Sequence, residues 1–150
     1  MKTITKKLVS LALVAFSMVL LFSCSSDDSS SPSGQTTAEQ GFFYNENGIT
    51  PLLKADDAWV NGSYKSIIAQ NNNATIVEIV LTDLAEGTYD LSLPYAFTYV
   101  KGGHWEASSG TLTITKNENN KLSGTFEATA GSGVAGVDSI KGEFNDLPIQ

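Results

Sequence analysis

One thiol and one imidazole, Cys24 and His104, are the sharpest chemical tools in this chain. Cys24 closes Leu21-Phe22-Ser23-Cys24 directly behind a basic and then apolar N-terminal segment. A thiol in that place can take a diacylglycerol thioether before a signal peptidase cuts, so its predicted chemistry is lipidation, not catalysis. His104 ends the turn Lys101-Gly102-Gly103-His104, and no nucleophile-elbow pattern surrounds a serine that it could activate. A carboxylate pair would need a fixed separation that linear spacing does not show. Asn45-Glu46-Asn47-Gly48, Asp56-Asp57 and Asn117-Glu118-Asn119-Asn120 are oxygen-rich, yet none has calcium-loop spacing, and Asn and Asp are ordinary turn residues. We therefore expect no enzyme, no metal site and no cofactor. Aromatics remain: Tyr95, Phe97 and Tyr99 alternate onto one face of a strand. Pairing Val100 with Trp105 across a Lys101 to His104 loop sends Trp105 to the opposite face. If one of these faces is exposed, Tyr95, Phe97, Tyr99 and Trp105 form a platform for a sugar or a protein partner. The competing reading makes the ladder core and packs Trp105 under a loop.

The segments that place these residues follow from composition. Lys2, Lys6 and Lys7 precede fifteen residues, Leu8 to Phe22, in which only Ser10 and Ser17 are polar. A helix of that length is roughly 22 Å long, short of the ~30 Å hydrocarbon core, so residues 1–23 read as an export signal. Residues 24–41 carry the lipidated cysteine and a tether, SSDDSSSPSGQTTAEQG, without one Val, Ile, Leu, Met or aromatic residue. Such a segment buries too little apolar surface to offset its conformational entropy, and as a coil it spans about 20–25 Å. Cys24-Ser25-Ser26-Asp27-Asp28 resembles the acidic export signal that follows the lipidated cysteine in many surface-exposed lipoproteins of the Bacteroidota. The resemblance implies an outer-membrane anchor with Ser25, Ser26, Asp27 and Asp28 directing the domain to the cell exterior. With no other cysteine, the fold has no disulfide to lean on.

Residues 42–150 make one domain, and its periodicity is that of strands. Ile76 to Leu81 is apolar on both faces apart from Glu78, which predicts a doubly covered strand. Tyr89, Leu91 and Leu93 alternate before Pro94 breaks the run. Leu112 and Ile114 alternate with threonines, Asn117 to Asn120 turns the chain, and Leu122, Phe126 and Ala128 continue at even spacing. Pro51 to Asp57 reads as one short helical turn. Short strands separated by turn residues predict an all-β domain, a single antiparallel sandwich or barrel-like fold.

The stretch GTLTITKNENNKLSGTFEATA, Gly110 to Ala130, and the closing Gly142-Glu143-Phe144-Asn145 resemble a family of uncharacterised, flavobacterial-type surface lipoprotein domains of the Bacteroidota. Ala128 stands where a second aromatic is common in that family. The resemblance implies an all-β lipoprotein domain and carries no catalytic residues. From the residues themselves, Gly124, Phe126 and Phe144 read as packing elements. Asp138-Ser139-Ile140 also resembles the three-residue O-glycosylation site of Bacteroidota envelope proteins, in a stretch whose alternation predicts a strand.

Loss of Lys2, Lys6 and Lys7 with the signal takes the formal charge from −7 to about −10, and the chain has no arginine. Nucleic acid is excluded as a partner, since its phosphates demand a basic footprint. What the sequence predicts is a membrane-anchored binding or accessory module, held by lipid on Cys24, with a glycan or an envelope protein as partner. The alternatives are a structural subunit of an outer-membrane complex and, further off, a carboxylate hydrolase.

Overall fold

Alternating apolar residues and Asn- or Gly-containing turns resolve into ten strands. They are β1 (Gly41–Glu46), β2 (Leu53–Lys54), β3 (Asp57–Asn61), β4 (Ser66–Asn71) and β5 (Ala74–Val80), then β6 (Gly87–Asp90), β7 (Phe97–Val100), β8 (His104–Glu118), β9 (Lys121–Ala130) and β10 (Ser139–Pro148). The computed structural model describes residues 38–101, 103–131 and 136–150, and none of these is helical. Cys24, Ser25, Ser26, Asp27 and Asp28, with the signal and most of the tether, lie outside the described residues. The fold is all-β, as the periodicity predicts.

The strands form one antiparallel sheet in the order β2-β1-β10-β9-β8-β7-β5-β4-β3, with β6 paired to β8 off this path. The long β8 turns this sheet into a half-barrel. Trp105 and Glu106 pair with Tyr99 and Thr98 of β7, whereas Thr111 to Ile114 pair with β6 and β9, and a register shift between Ala107 and Ser109 separates the two parts. At the far edge, the Gln150 amide donates to the Val60 carbonyl and the Gly62 amide to the Gln150 carbonyl, both at 2.8 Å. The curled sheet thereby meets its own end at β3.

Two hairpins are set by asparagine pairs. Asn72-Asn73 and Asn119-Asn120 have φ of 51°, 62°, 53° and 60°, the left-handed values of a type I′ turn, whose twist matches that of the flanking strands. Asparagine tolerates that region because its short amide bonds locally. Tight curling also needs bare backbone on the concave face. A Cβ on Gly142 would stand 1.9 Å from the Phe43 carbonyl oxygen, and one on Gly124 would stand 2.2 Å from that of Thr113 and 2.6 Å from Phe144 Cζ.

Leu112, Ile114, Leu122, Phe126 and Ala128 face inward, as their spacing predicts, and Ile140 and Phe144 join them. Phe42 stacks on Phe126 at 5.0 Å, Phe126 meets Phe97 at 5.9 Å, and Phe97 and Tyr99 each lie 5.7 Å from Trp105. This chain of rings fills the space between the layers, each ring contributing about 1.5–3 kcal/mol by burial.

Two expectations are corrected. Val77, Ile79 and Leu81 are buried, but Val80 is 40% exposed, so the β5 segment is fully covered on one face only. Pro51 to Asp57 is not a helical turn. Leu53 and Lys54 pair with Tyr44 and Phe43, and the Ala55 amide donates to the Phe42 carbonyl, so β1 recruits this segment as an edge strand.

Candidate functional site

The hairpin of β7 and β8 decides the aromatic platform. Its loop is Lys101 to Gly103, so Val100 pairs with His104 and Tyr99 with Trp105. That is one residue tighter than the Val100–Trp105 pairing expected from sequence, and a one-residue slip moves a side chain to the other face. Trp105 therefore joins Phe97 and Tyr99 on the inner face, all three at most 1% exposed. Tyr95 stands apart, 72% exposed and left-handed at φ 64°, in the turn before β7. The four residues do not form one platform: three are core and one is a lone surface ring.

Where the inner faces of β1 and β7 reach their ends, a polar lock closes the core. The Tyr99 hydroxyl donates to a Glu46 carboxylate oxygen, and Lys101 Nζ reaches both oxygens of that carboxylate at 2.8 Å. Beside it, Asn71 Nδ2 donates to the Tyr44 hydroxyl at 3.3 Å. Burial pushes the Glu46 carboxyl up, but the hydrogen bonds from Lys101 and Tyr99 outweigh it and hold the group below its ordinary value. Burial first, then the bond to Glu46, pushes the Tyr99 phenol far above its ordinary range, and burial raises Tyr44 against the opposing Asn71 bond. Held protonated, the Tyr99 phenol donates to Glu46 and the Tyr44 phenol accepts from Asn71. The chemistry of this cluster is to tie β1 to β7.

His104 is exposed and, among the described residues, pairs with no carboxylate. Three side chains of the oxygen-rich loops are spent on structure. Asn47 Oδ1 accepts from the Asp138 and Ser139 amides at 2.8 and 3.2 Å, Asp56 Oδ2 accepts from the Asn72 amide at 2.8 Å, and Asn117 Nδ2 donates to the Leu84 carbonyl at 2.9 Å. Among the described residues, no three His, Cys, Asp or Glu side chains cluster as metal ligands. Ser139 is half-buried at the start of β10, so the O-glycosylation-like triplet does lie at a strand.

The outer face of β1, β10, β9 and β8 holds what sequence reading missed. Residues in register form a row across four strands: Asn45 opposite Lys141, Lys141 opposite Glu127, and Glu127 opposite Thr111. Two adjoining depressions of about 350 and 370 Å³ lie over this face and share Lys141, Glu127 and Thr111, and Leu52 walls the first of them. Asn45, only 4% exposed, lines the first depression, and its Oδ1 has no hydrogen-bond partner. Such an unmet buried carbonyl costs about 1–3 kcal/mol. Lys141 is equally unengaged. The other lysines among the described residues hold a carboxylate or, for Lys65, the Thr82 carbonyl, whereas Lys141 forms no ion pair there. The alternation T-L-T-I-T and F-E-A-T shows that Thr111 and Glu127 point outward. Only the register puts them beside Lys141 and Asn45.

Compared with protein-family models, curated proteins and solved structures, the chain matches none of them.

Proposed function

We propose that the mature chain is a lipid-anchored envelope module, hung from the outer membrane through Cys24 and facing the cell exterior, that binds a partner and has no catalytic activity of its own. The observation that carries this reading is the division between a filled interior and a polar outer groove. The aromatic chain from Phe42 to Trp105 packs the inner face of the sheet, while the groove is lined by Asn45, whose buried carbonyl is unmet, and by an unengaged ammonium. The polar lock at Glu46 contributes no base or nucleophile to set against it.

A second reading, a structural subunit of an outer-membrane complex, has one observation in its favour. Val80, Leu93 and Tyr95 are 40%, 52% and 72% exposed around the turn that precedes β7, an apolar patch of the kind protein partners cover.

Metabolic labelling with a radioactive fatty acid should mark the wild-type chain and leave Cys24→Ala unmarked. A membrane-impermeant biotin reagent should then label the wild type on intact cells. Pull-down from those cells separates the two readings: enrichment of soluble envelope material supports the binding module, and a stoichiometric membrane complex lost in Tyr95→Ala supports the subunit. An unlipidated wild type would sink the anchor on which both depend.

A further inference from the structure

Resting on the outer-face binding proposed above, we infer that the row Asn45–Lys141–Glu127–Thr111 is a subsite for an uncharged oligosaccharide. The choice of ligand follows from what the row would reject. An anion meets Glu127, with Glu143 also lining the depression, against the single ammonium of Lys141, in a domain that is acidic throughout. A cation meets Lys141 at the centre of the row. An apolar ligand seated here would strip water from the Lys141 ammonium and the Glu127 and Glu143 carboxylates without replacing it. A peptide adding as a strand needs free backbone edges, yet β9 and β10 are paired on both sides at this level.

A polyol satisfies all four residues at once, because each hydroxyl both donates and accepts. One hydroxyl can donate to Glu127 while accepting from Lys141, Thr111 can serve either way, and a turn of the Asn45 amide toward the groove lets its buried Oδ1 accept from a neighbour. Leu52 offers an apolar wall to the C–H face of the ring. With strands about 4.8 Å apart, four in-register residues span about 14 Å. The two depressions sharing three of these residues make the subsite longer than one sugar ring, so the ligand is an oligomer.

The test uses the mature lipidated protein in detergent and saturation-transfer NMR against named series: cello-, xylo-, manno-, laminari- and malto-oligosaccharides of two to six sugars, with oligogalacturonate as the anionic control. At least one neutral series should bind, with an affinity that changes less than 2-fold between low and high salt. Lys141→Ala and Glu127→Gln should each weaken it at least 10-fold, while Tyr95→Ala leaves it unchanged. Lys141 and Glu127 are both exposed, and an unchanged melting temperature would show that the variants fold. Binding that survives both variants would overturn the site, and salt-sensitive binding of oligogalacturonate alone would overturn the ligand class. If no series binds but the cellular pull-down still captures soluble envelope material, the saccharide assignment fails and the binding module stands. If neither binds anything, both fall.

Discussion

The lock joining Tyr99, Glu46 and Lys101 makes a quantitative prediction about acid stability. Lys101 is 58% exposed and its ion pair with Glu46 is screened, so that contact contributes at most about 1 kcal/mol. The Tyr99 hydroxyl is different: it lies inside the core and donates to a carboxylate whose side chain is only 15% exposed, the setting in which a hydrogen bond to a charged group contributes about 1.5–3 kcal/mol. Tyr99→Phe should therefore cost about 2 kcal/mol at pH 7, and Lys101→Ala less than half of that. The pH dependence has a defined sign. Glu46 is held below its ordinary carboxyl value in the folded chain, so the folded state binds this proton more weakly than the unfolded state does. The resulting stability is complete above the ordinary value of about 4.3 and disappears as pH falls through the lower, folded value. Below that point the partner of Tyr99 is a neutral acid, and the cost of Tyr99→Phe should shrink to about 1 kcal/mol. Urea unfolding followed by tryptophan fluorescence reads this directly, since Trp105 lies against Tyr99. A Tyr99→Phe cost below about 0.5 kcal/mol at pH 7, or a cost that does not shrink at any lower pH at which the wild type still folds, would refute the assignment.

Two further substitutions probe the curl and the groove. Gly142→Ala sets a methyl against the Phe43 carbonyl where β1 crosses β10, and it should cost more than about 3 kcal/mol or prevent folding, measured by circular dichroism and thermal melting. Asn45→Val replaces an unmet buried carbonyl by a β-branched chain in a strand, so it should stabilise the free protein by about 1 kcal/mol while abolishing saccharide binding. A destabilised variant would mean that Asn45 is satisfied in the folded chain.

What the sequence disclosed was whatever depends on neighbours along the chain. Leu112, Ile114, Leu122, Phe126 and Ala128 alternate strictly, and a period of two names a buried face without knowledge of partners. The Asn119-Asn120 turn was equally plain, because a left-handed pair needs residues that tolerate it. Sequence reading failed where a single residue of register decided the outcome. Trp105 lies inside because the β7–β8 loop holds three residues instead of four, and Gly102-Gly103 accommodates either length. Leu53 and Lys54 pair with β1 although the stretch reads as a helical turn, since an open strand edge supplies the hydrogen bonds.

The same reasoning explains why the groove was hidden. Asn45, Lys141, Glu127 and Thr111 are spread over almost a hundred residues, and each alone is an ordinary outward position on a strand. Their meaning comes from antiparallel registers that bring β1 to β10, β10 to β9 and β9 to β8. Asn45 was nonetheless the one position with a local anomaly. It follows Phe43 and Tyr44 in a strand flanked by Leu53 and Lys54 of β2, yet it is more deeply buried than Phe43. A polar side chain that buries itself without a partner loses its hydration for no gain inside the free protein. Such a residue fits a surface whose last hydrogen bonds are supplied by something that arrives, as the binding function proposed above requires.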